Sequence, residues 1–292
     1  MISAGGARAR KQLVVTADDL GLHQRMNEGS IRAHREGIVT AVSLVANGRA
    51  FDHAVELLRD EPSLDPGVHL TFVEEVPLSP LQEVASLVDA RGTFLPGFRS
   101  FSFRYLYGGV NLAELELELR RQIERVLETG LAVRHLNSHQ HLHLFPRVFE
   151  LVVALAEEFR IPNVRMAEDY PRTSDHDVRA ISIRILSAMS GRARQRWKGR
   201  TPIAMNDRAM GILQAGHLTA SRLLGLLDSV KGVTELVTHP GEETGEIARV
   251  YEWGYDWDEE TSALCDRGVR EAILEKGIQL TRFSELNESN EQ

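Results

Sequence analysis

Eight side chains in this sequence are of types that could share one reaction centre. Asp18 and Asp19 are adjacent at the end of an apolar run. His69 lies in GVHLTF, His139, His141 and His143 in HLNSHQHLH, Arg165 in NVRMA and His239 in THPG. Neighbouring carboxylates repel unless a cation or a proton sits between them. One of the pair can therefore bind a divalent metal while the other acts as base toward an attacking water. Two aspartates ahead of Gly21 equally suit an Asx turn or a helix N-cap, so the pair alone leaves both uses open. In an extended chain His135, His139, His141 and His143 fall on one face. Four imidazoles make a poor core but a good surface for metal binding and proton transfer. His135 and His143 can each also be satisfied core histidines, and His69 can be a buried neutral one. Pro240-Gly241 force a turn that would hold His239 at a strand end, a place suited to acid–base work. Arg165 is a charge in a segment that should be buried. It needs a carboxylate partner, and Asp18 is the candidate.

Groups this far apart in sequence meet only if the fold gathers them. Short apolar runs that read as strands fall at 12–17, 38–46, 67–73, 132–137, 163–167, 234–238 and 278–282. Between them lie helix-length segments at 26–36 (stopped by Gly37), 51–59, 111–128, 149–159, 218–228 and 267–276. Strands alternating with helices imply parallel β-structure and βαβ crossovers. The expected fold is α/β: a TIM-like (β/α) barrel, complete or with fewer than eight strands. A doubly wound sheet ranks second, weakened by the lack of a GxGxxG or Walker loop. In a parallel barrel every strand opens at its C-terminal end onto one face. These residues would converge there.

At 292 residues the chain is long enough for one such domain over 1–292, with 1–11 and 285–292 expected as flexible ends. A formal charge of -8 disfavours a dedicated nucleic-acid binder. A single cysteine, Cys265, excludes an internal disulfide and fits a reducing compartment; it reads as a small packing residue rather than a nucleophile. The first residues lack the apolar core of a signal peptide, and no run approaches the ~20 apolar residues of a membrane span. A cytoplasmic protein is expected, in peripheral contact with the inner face of the membrane.

The same pieces, TADDLGLHQRMNEGSIRAHREGIVTAVSLVANG, GVHL, HLNSHQHLHLFPRV, the VR of NVRMA and HPG, in this order, resemble the YdjC-like carbohydrate deacetylase family. The stretch 251–283 resembles the C-terminal end of the branch found with hopanoid-biosynthesis genes. The resemblance implies a barrel-like fold, a divalent metal and hydrolysis of the acetamide of an N-acetylated sugar. It implies Asp19, His69 and His139 as metal ligands, choosing His139 over His141. It further implies Asp18 as base, His239 as proton donor to the leaving amine, and Arg165 as the group that orients Asp18. Asn137 departs from the Asp often found there in the family, which bears on specificity. An Asp-His-His set suits zinc first, since magnesium prefers more oxygen ligands.

Two stretches speak to the substrate. Residues 94–107 (FLPGFRSFSFRYLY) hold six aromatic side chains, either to stack on a sugar or to pack down on the barrel. Residues 178–206 carry Arg179, Arg184, Arg192, Arg194, Arg196, Lys198 and Arg200 with no acidic residue, beside Ile181, Ile183, Ile185, Leu186 and Met189. Such a segment is either a solvated helix face or a peripheral contact with anionic lipid. Together with the hopanoid-like end, it points to a lipid-linked amino sugar, N-acetylglucosaminyl bacteriohopanetetrol, with soluble chito-oligosaccharides second. A metal- and sugar-binding protein without turnover and a metal phosphoesterase are the readings from other classes. The chain is compatible with an oligomer.

Overall fold

A computed structural model of the chain describes residues 11–169 and 178–288. The elements run β1 (Gln12–Leu20), α1 (Gln24–Arg35), β2 (Ala41–Leu44), α2 (Phe51–Arg59), β3 (Asp65–Leu70), α3 (Gly97–Leu106) and α4 (Leu112–Glu128). They continue with β4 (His135–Ser138), α5 (Pro146–Glu158), β5 (Asn163–Val164), α6 (Val178–Trp197), β6 (Arg208–Met210), α7 (Ala220–Leu227) and β7 (Val233–Thr238). After β7 come α8 (Thr244–Ile247), α9 (Trp257–Leu264), α10 (Arg267–Glu275), β8 (Gln279–Leu280) and α11 (Phe283–Glu288).

Among the described residues, seven parallel strands form one path, β5-β4-β3-β2-β1-β7-β6, and the short β8 pairs with the start of β1. Parallel strands are covered on both faces, so they read as continuous apolar runs. Leu13, Val14, Val15 and Ala17 of β1 are all fully buried. The sheet curls into a TIM-like half-barrel, incomplete between β5 and β6. There the ladder gives way to a single bridge, Asn163 to Ala204. Asn206 continues it with a side chain: its amide oxygen accepts from Met166 N–H (2.7 Å) and its NH2 donates to Met166 C=O (2.9 Å).

The strand boundaries are tighter than the apolar runs suggest. The run at 38–46 contributes only Ala41–Leu44, and that at 163–167 only Asn163–Val164. β6, three residues long, has too little pattern to announce itself in sequence. The aromatic stretch 94–107 is mostly helix, with Phe101 turned inward against Phe72 (ring centroids 5.1 Å) and Phe145 (5.7 Å). It is packed on the barrel at that residue, while Phe103 and Tyr107 remain exposed. Helix α6 divides its isoleucines between faces: Ile183 is buried, Ile181 and Ile185 are exposed. Arg194 pairs with Glu168 (2.7 Å) and Arg196 with Glu150 (2.6 Å), so part of the basic run is neutralised within the chain. The Arg179 side chain lies outside the described residues, as do 1–10 and 289–292 of the two ends expected to be flexible. Where that C-terminal end was to begin, the chain forms α11, and Phe283 stacks on His135 (4.3 Å). No helix among the described residues is long and apolar enough to cross a membrane.

One close approach ties α1 to the turn after β7. A Cβ at Gly29 would lie 2.4 Å from the Cα of Gly241. Neither backbone can yield without moving the His239-Pro240-Gly241 turn. Gly29→Ala is expected to cost about 1–3 kcal/mol, as overpacking does. Urea unfolding measures the loss; an unchanged midpoint would show that α1 shifts freely.

Candidate active site

Asp18, Asp19, His69, His139, Arg165 and His239 each sit at or just past the C-terminal end of a strand, the face on which parallel barrels carry chemistry. Asp18 and Asp19 lie inside β1, not in a turn or cap; the cap of α1 is His23, whose Nδ1 accepts from Arg25 N–H (3.1 Å). The register of β1 against β2 slips between Ala17 and Leu20, and Asp19 takes a left-handed backbone (φ 65°). In a regular strand, neighbours point to opposite faces. The bulge removes that alternation, and both aspartates line one cleft.

Asp19, His69 and His139 each offer a ligand atom, and these atoms lie within 4.8 Å of one another. His69 Nε2 is 3.3 Å from Asp19 Oδ1, buried, and has no hydrogen-bond partner. Its other nitrogen explains why. Nδ1–H donates to Asn137 Oδ1 (2.6 Å), which fixes the tautomer and leaves the Nε2 lone pair facing Asp19. His139 Nδ1 is 2.8 Å from Asp19 Oδ1. Burial alone would lower the pKa of His139; the Asp19 carboxylate, then Glu74, raises it to about 10. Asp19 is held well below the ordinary carboxylate range, because the two histidines outweigh its burial. A place that binds a proton this firmly between a carboxylate and two imidazoles also favours a cation. The orphaned Nε2 and the N,N,O donor set fit a divalent metal.

Asp18 is held from behind. Arg165, fully buried just after β5, binds it bidentately: Nη2 to Oδ1 at 2.8 Å and Nη1 to Oδ2. Asn137 Nδ2 donates to the same Oδ1 (3.2 Å). Burial would raise the Asp18 pKa, but Arg165 and then His69 bring it well below the ordinary range, so the group is a carboxylate at neutral pH. Asn137 thus touches His69 and Asp18, not His139. An aspartate there would set a further carboxylate against Asp18 Oδ1.

The histidine cluster does not stay extended. After β4 the chain tightens into a short 3-10 turn, His139–Leu144, with left-handed residues at Gln140 (φ 53°) and His141 (φ 56°). The four imidazoles therefore part company. His139 joins Asp19, and His141 lines the cleft. His143 is a core clamp: Nε2–H donates to Arg165 C=O (2.9 Å), Nδ1 accepts from Ser138 Oγ (2.8 Å), and burial lowers its pKa to about 3. His135 lies beneath, bonded to Ser43 Oγ (3.0 Å) and neutral for the same reason, its pKa lowered to about 3.

His239 follows β7 and faces the same cleft. Its Nδ1 is 3.8 Å from Glu260 Oε1, within reach of charge though beyond a hydrogen bond. Burial pulls its pKa down; Glu260, then Asp19 and Asp18, raise it above the usual histidine value. The cleft holds about 450 Å³, within the ~300–1,000 Å³ of small-molecule sites. Trp253, Tyr255 and Phe98 give it aromatic surface; Ile183, Leu186 and Ile212 give it aliphatic surface.

Three residues of this arrangement escape the motif reading. Glu235, fully buried in β7, is the second carboxylate on Arg165: its Oε1 accepts from Nε (2.9 Å), Nη2 (2.7 Å) and Thr16 Oγ1 (2.8 Å). A glutamate inside the strand TELVT is the signal that marks it. Glu260 and Glu74 carry none, because each comes from a segment without a repeating pattern.

A TIM-like half-barrel with a buried Asp-His-His centre and an arginine-clamped aspartate defines a candidate metal-dependent hydrolase. The family comparison makes this specific: residues 12–275 match the model of the YdjC-like proteins, and the chain belongs to that family. Among its relatives, a carbohydrate deacetylase of Brevibacillus brevis is 31% identical, spanning 94% of this chain and 99% of its own. A carbohydrate deacetylase of Mus musculus is 29% identical over 95% of this chain and 96% of its own. The crystal structure of a putative cellobiose-phosphate cleavage protein from Enterococcus faecalis superposes with a TM-score of 0.74 at 25% identity, covering 95% of this chain and 99% of that one.

Proposed function

We propose that this chain is a metal-dependent N-deacetylase that releases acetate from an N-acetylated amino sugar. The observation that carries the reading is the ionised Asp18, clamped by Arg165 beside the Asp19, His69 and His139 triad on the wall of a cleft. Binding a sugar or a metal needs no buried base; hydrolysing an amide does. Full-length relatives named carbohydrate deacetylases support the same chemistry.

In this reading Asp19, His69 and His139 hold a divalent metal, zinc first by donor type. When bound, the ion supplies Lewis-acid polarisation of the amide carbonyl. Asp18 takes a proton from the attacking water, whose oxygen bonds to the acetyl carbon. Arg165 keeps Asp18 ionised and aimed. His239 gives a proton to the amide nitrogen as the C–N bond breaks, because an amine anion is a poor leaving group. The products are acetate and the free amino sugar.

The mixed walls of the cleft support an amphiphilic substrate. Aromatic surface from Trp253 and Tyr255 suits the apolar face of a pyranose. Aliphatic surface from Ile183, Leu186 and Ile212 suits an apolar aglycone, and the other face of α6 exposes Ile181 and Ile185 with Arg192. N-acetylglucosaminyl bacteriohopanetetrol, met at a membrane surface, is therefore the first substrate, and chito-oligosaccharides the second. Acetate release from both, with zinc and with chelator, tests the proposal. Chelator-sensitive release supports a deacetylase, and the faster substrate selects the aglycone. No release from either, with metal bound, overturns it.

The proton-donor role carries its own test. Glu260 raises the His239 pKa, so removing its charge lowers it. In Glu260→Gln the imidazolium is lost at a lower pH, and the basic limb of the kcat–pH profile is expected to move toward acid. A basic limb that stays put would take His239 out of the proton-donor role.

A further inference from the structure

We infer that Glu74 is a positioning residue for the metal centre: its carboxylate holds His139 by Nε2, the nitrogen that faces away from Asp19, and so aims Nδ1 at the ion. The inference rests on His139 being a ligand. Glu74 Oε2 is 3.5 Å from His139 Nε2, while His139 Nδ1 is 2.8 Å from Asp19 Oδ1. The imidazole is thus interposed between two carboxylates, one toward the metal position and one behind the ring. Histidine ligands of metals are commonly held this way, their second N–H donated to a carboxylate that fixes the ring and raises its basicity. Asn137 does the same for His69 with a neutral oxygen. The nearest carboxylate behind His69, Asp18 Oδ1, lies farther off, 3.9 Å from Nδ1.

The surroundings fix Glu74 in turn. Its Oε1 accepts from Gln140 Nε2 (2.6 Å) and its Oε2 from Trp253 Nε1 (3.2 Å). Both Glu74 (φ 67°) and Gln140 (φ 53°) stand in the left-handed region that non-glycine residues avoid. Such conformations persist where the surroundings over-determine them, and they cluster at functional sites. Here the two unfavourable residues are partners in one hydrogen bond. Glu74 N–H is also tied to Leu95 C=O (2.9 Å), and the glycine at 97 leaves space for the carboxylate, since a Cβ there would come within 3.0 Å of Glu74 Oε1. His139, Gln140 and Trp253 line the cleft and Glu74 does not. It reaches the chemistry through His139. Because Trp253 also stacks near His139 (5.2 Å), the same carboxylate ties the aromatic wall to the ligand.

The test is Glu74→Gln in the full-length chain, with His139→Ala as the reference for a lost ligand. Zn2+ is titrated against a chromophoric chelator. Glu74→Gln is expected to weaken zinc binding by about 10–100-fold, the usual effect of removing such a partner. The melting temperature of the metal-free chain should hold, which separates this loss from misfolding. At saturating Co2+ the visible bands should match those of the parent chain, because all three ligands remain. Zinc affinity within about twofold of the parent overturns the inference. So does a cobalt spectrum altered as in His139→Ala, since Glu74 would then be a ligand itself. If His139→Ala also binds zinc like the parent, the metal centre falls together with the inference.

Discussion

Asp18→Asn is expected to lower kcat by about 10²–10⁴-fold, the usual contribution of a positioned general base. Metal content should stay near that of the parent chain. The two expectations separate because Asp18 and Asp19 are adjacent in sequence but differently employed. Asp19 makes its short contacts to His139 and His69; Asp18 makes its own to Arg165 and Asn137. Asn at position 18 is close in shape and can still accept one bond from Arg165, but it cannot take a proton from water. Metal analysis of the purified variant, together with acetate release under saturating substrate, measures both. Turnover close to the parent rate would remove Asp18 from the reaction and revive the reading of a metal- and sugar-binding protein. Loss of metal together with turnover would make Asp18 part of the ligand set.

The legible part of this site was its chemistry; the illegible part was its backbone. Asp18-Asp19, His69, His139, Arg165 and His239 stand out because charged and imidazole groups at the ends of apolar runs are costly unless they meet partners. Parallel topology then predicts where they meet. What sequence hides is how each is aimed. The bulge that turns both aspartates to one cleft leaves no mark in ADDLG beyond the glycine. The left-handed pair Gln140-His141 breaks the period-two face that HLNSHQHLH advertises, so His135 and His143 become core residues while His139 does not. The open seam between β5 and β6 is hidden for a similar reason. Asn206 replaces ladder bonds with a side chain, and a lone asparagine in TPIAMND has no period to betray it. Glu235 lay in plain view, as a charge inside TELVT. It becomes meaningful only when Arg165, 70 residues away, is found beside it.

That pair sets the second large expectation. Arg165→Met should cost about 3–5 kcal/mol of stability, the penalty for breaking a buried ion pair and leaving charge behind. Two carboxylates are left, Asp18 and Glu235, both buried and both relying on the one guanidinium. The pH dependence gives the mechanism away. In the parent chain the folded Asp18 pKa is depressed, so its stabilisation is present above the unfolded value and fades as pH falls through the folded one. Without Arg165, burial dominates and the folded pKa rises above the unfolded value. The variant then loses stability as pH rises, and the gap between the two chains should close on going to acid. Urea unfolding at several pH values reads this directly. The double variant Arg165→Met/Glu235→Leu should regain part of the loss, because one stranded charge is gone, and it should regain no turnover, because Asp18 still has nothing to aim it. A gap independent of pH would mean that Arg165 acts through packing alone. Its contact with Asp18 would then have no share in keeping that carboxylate ionised.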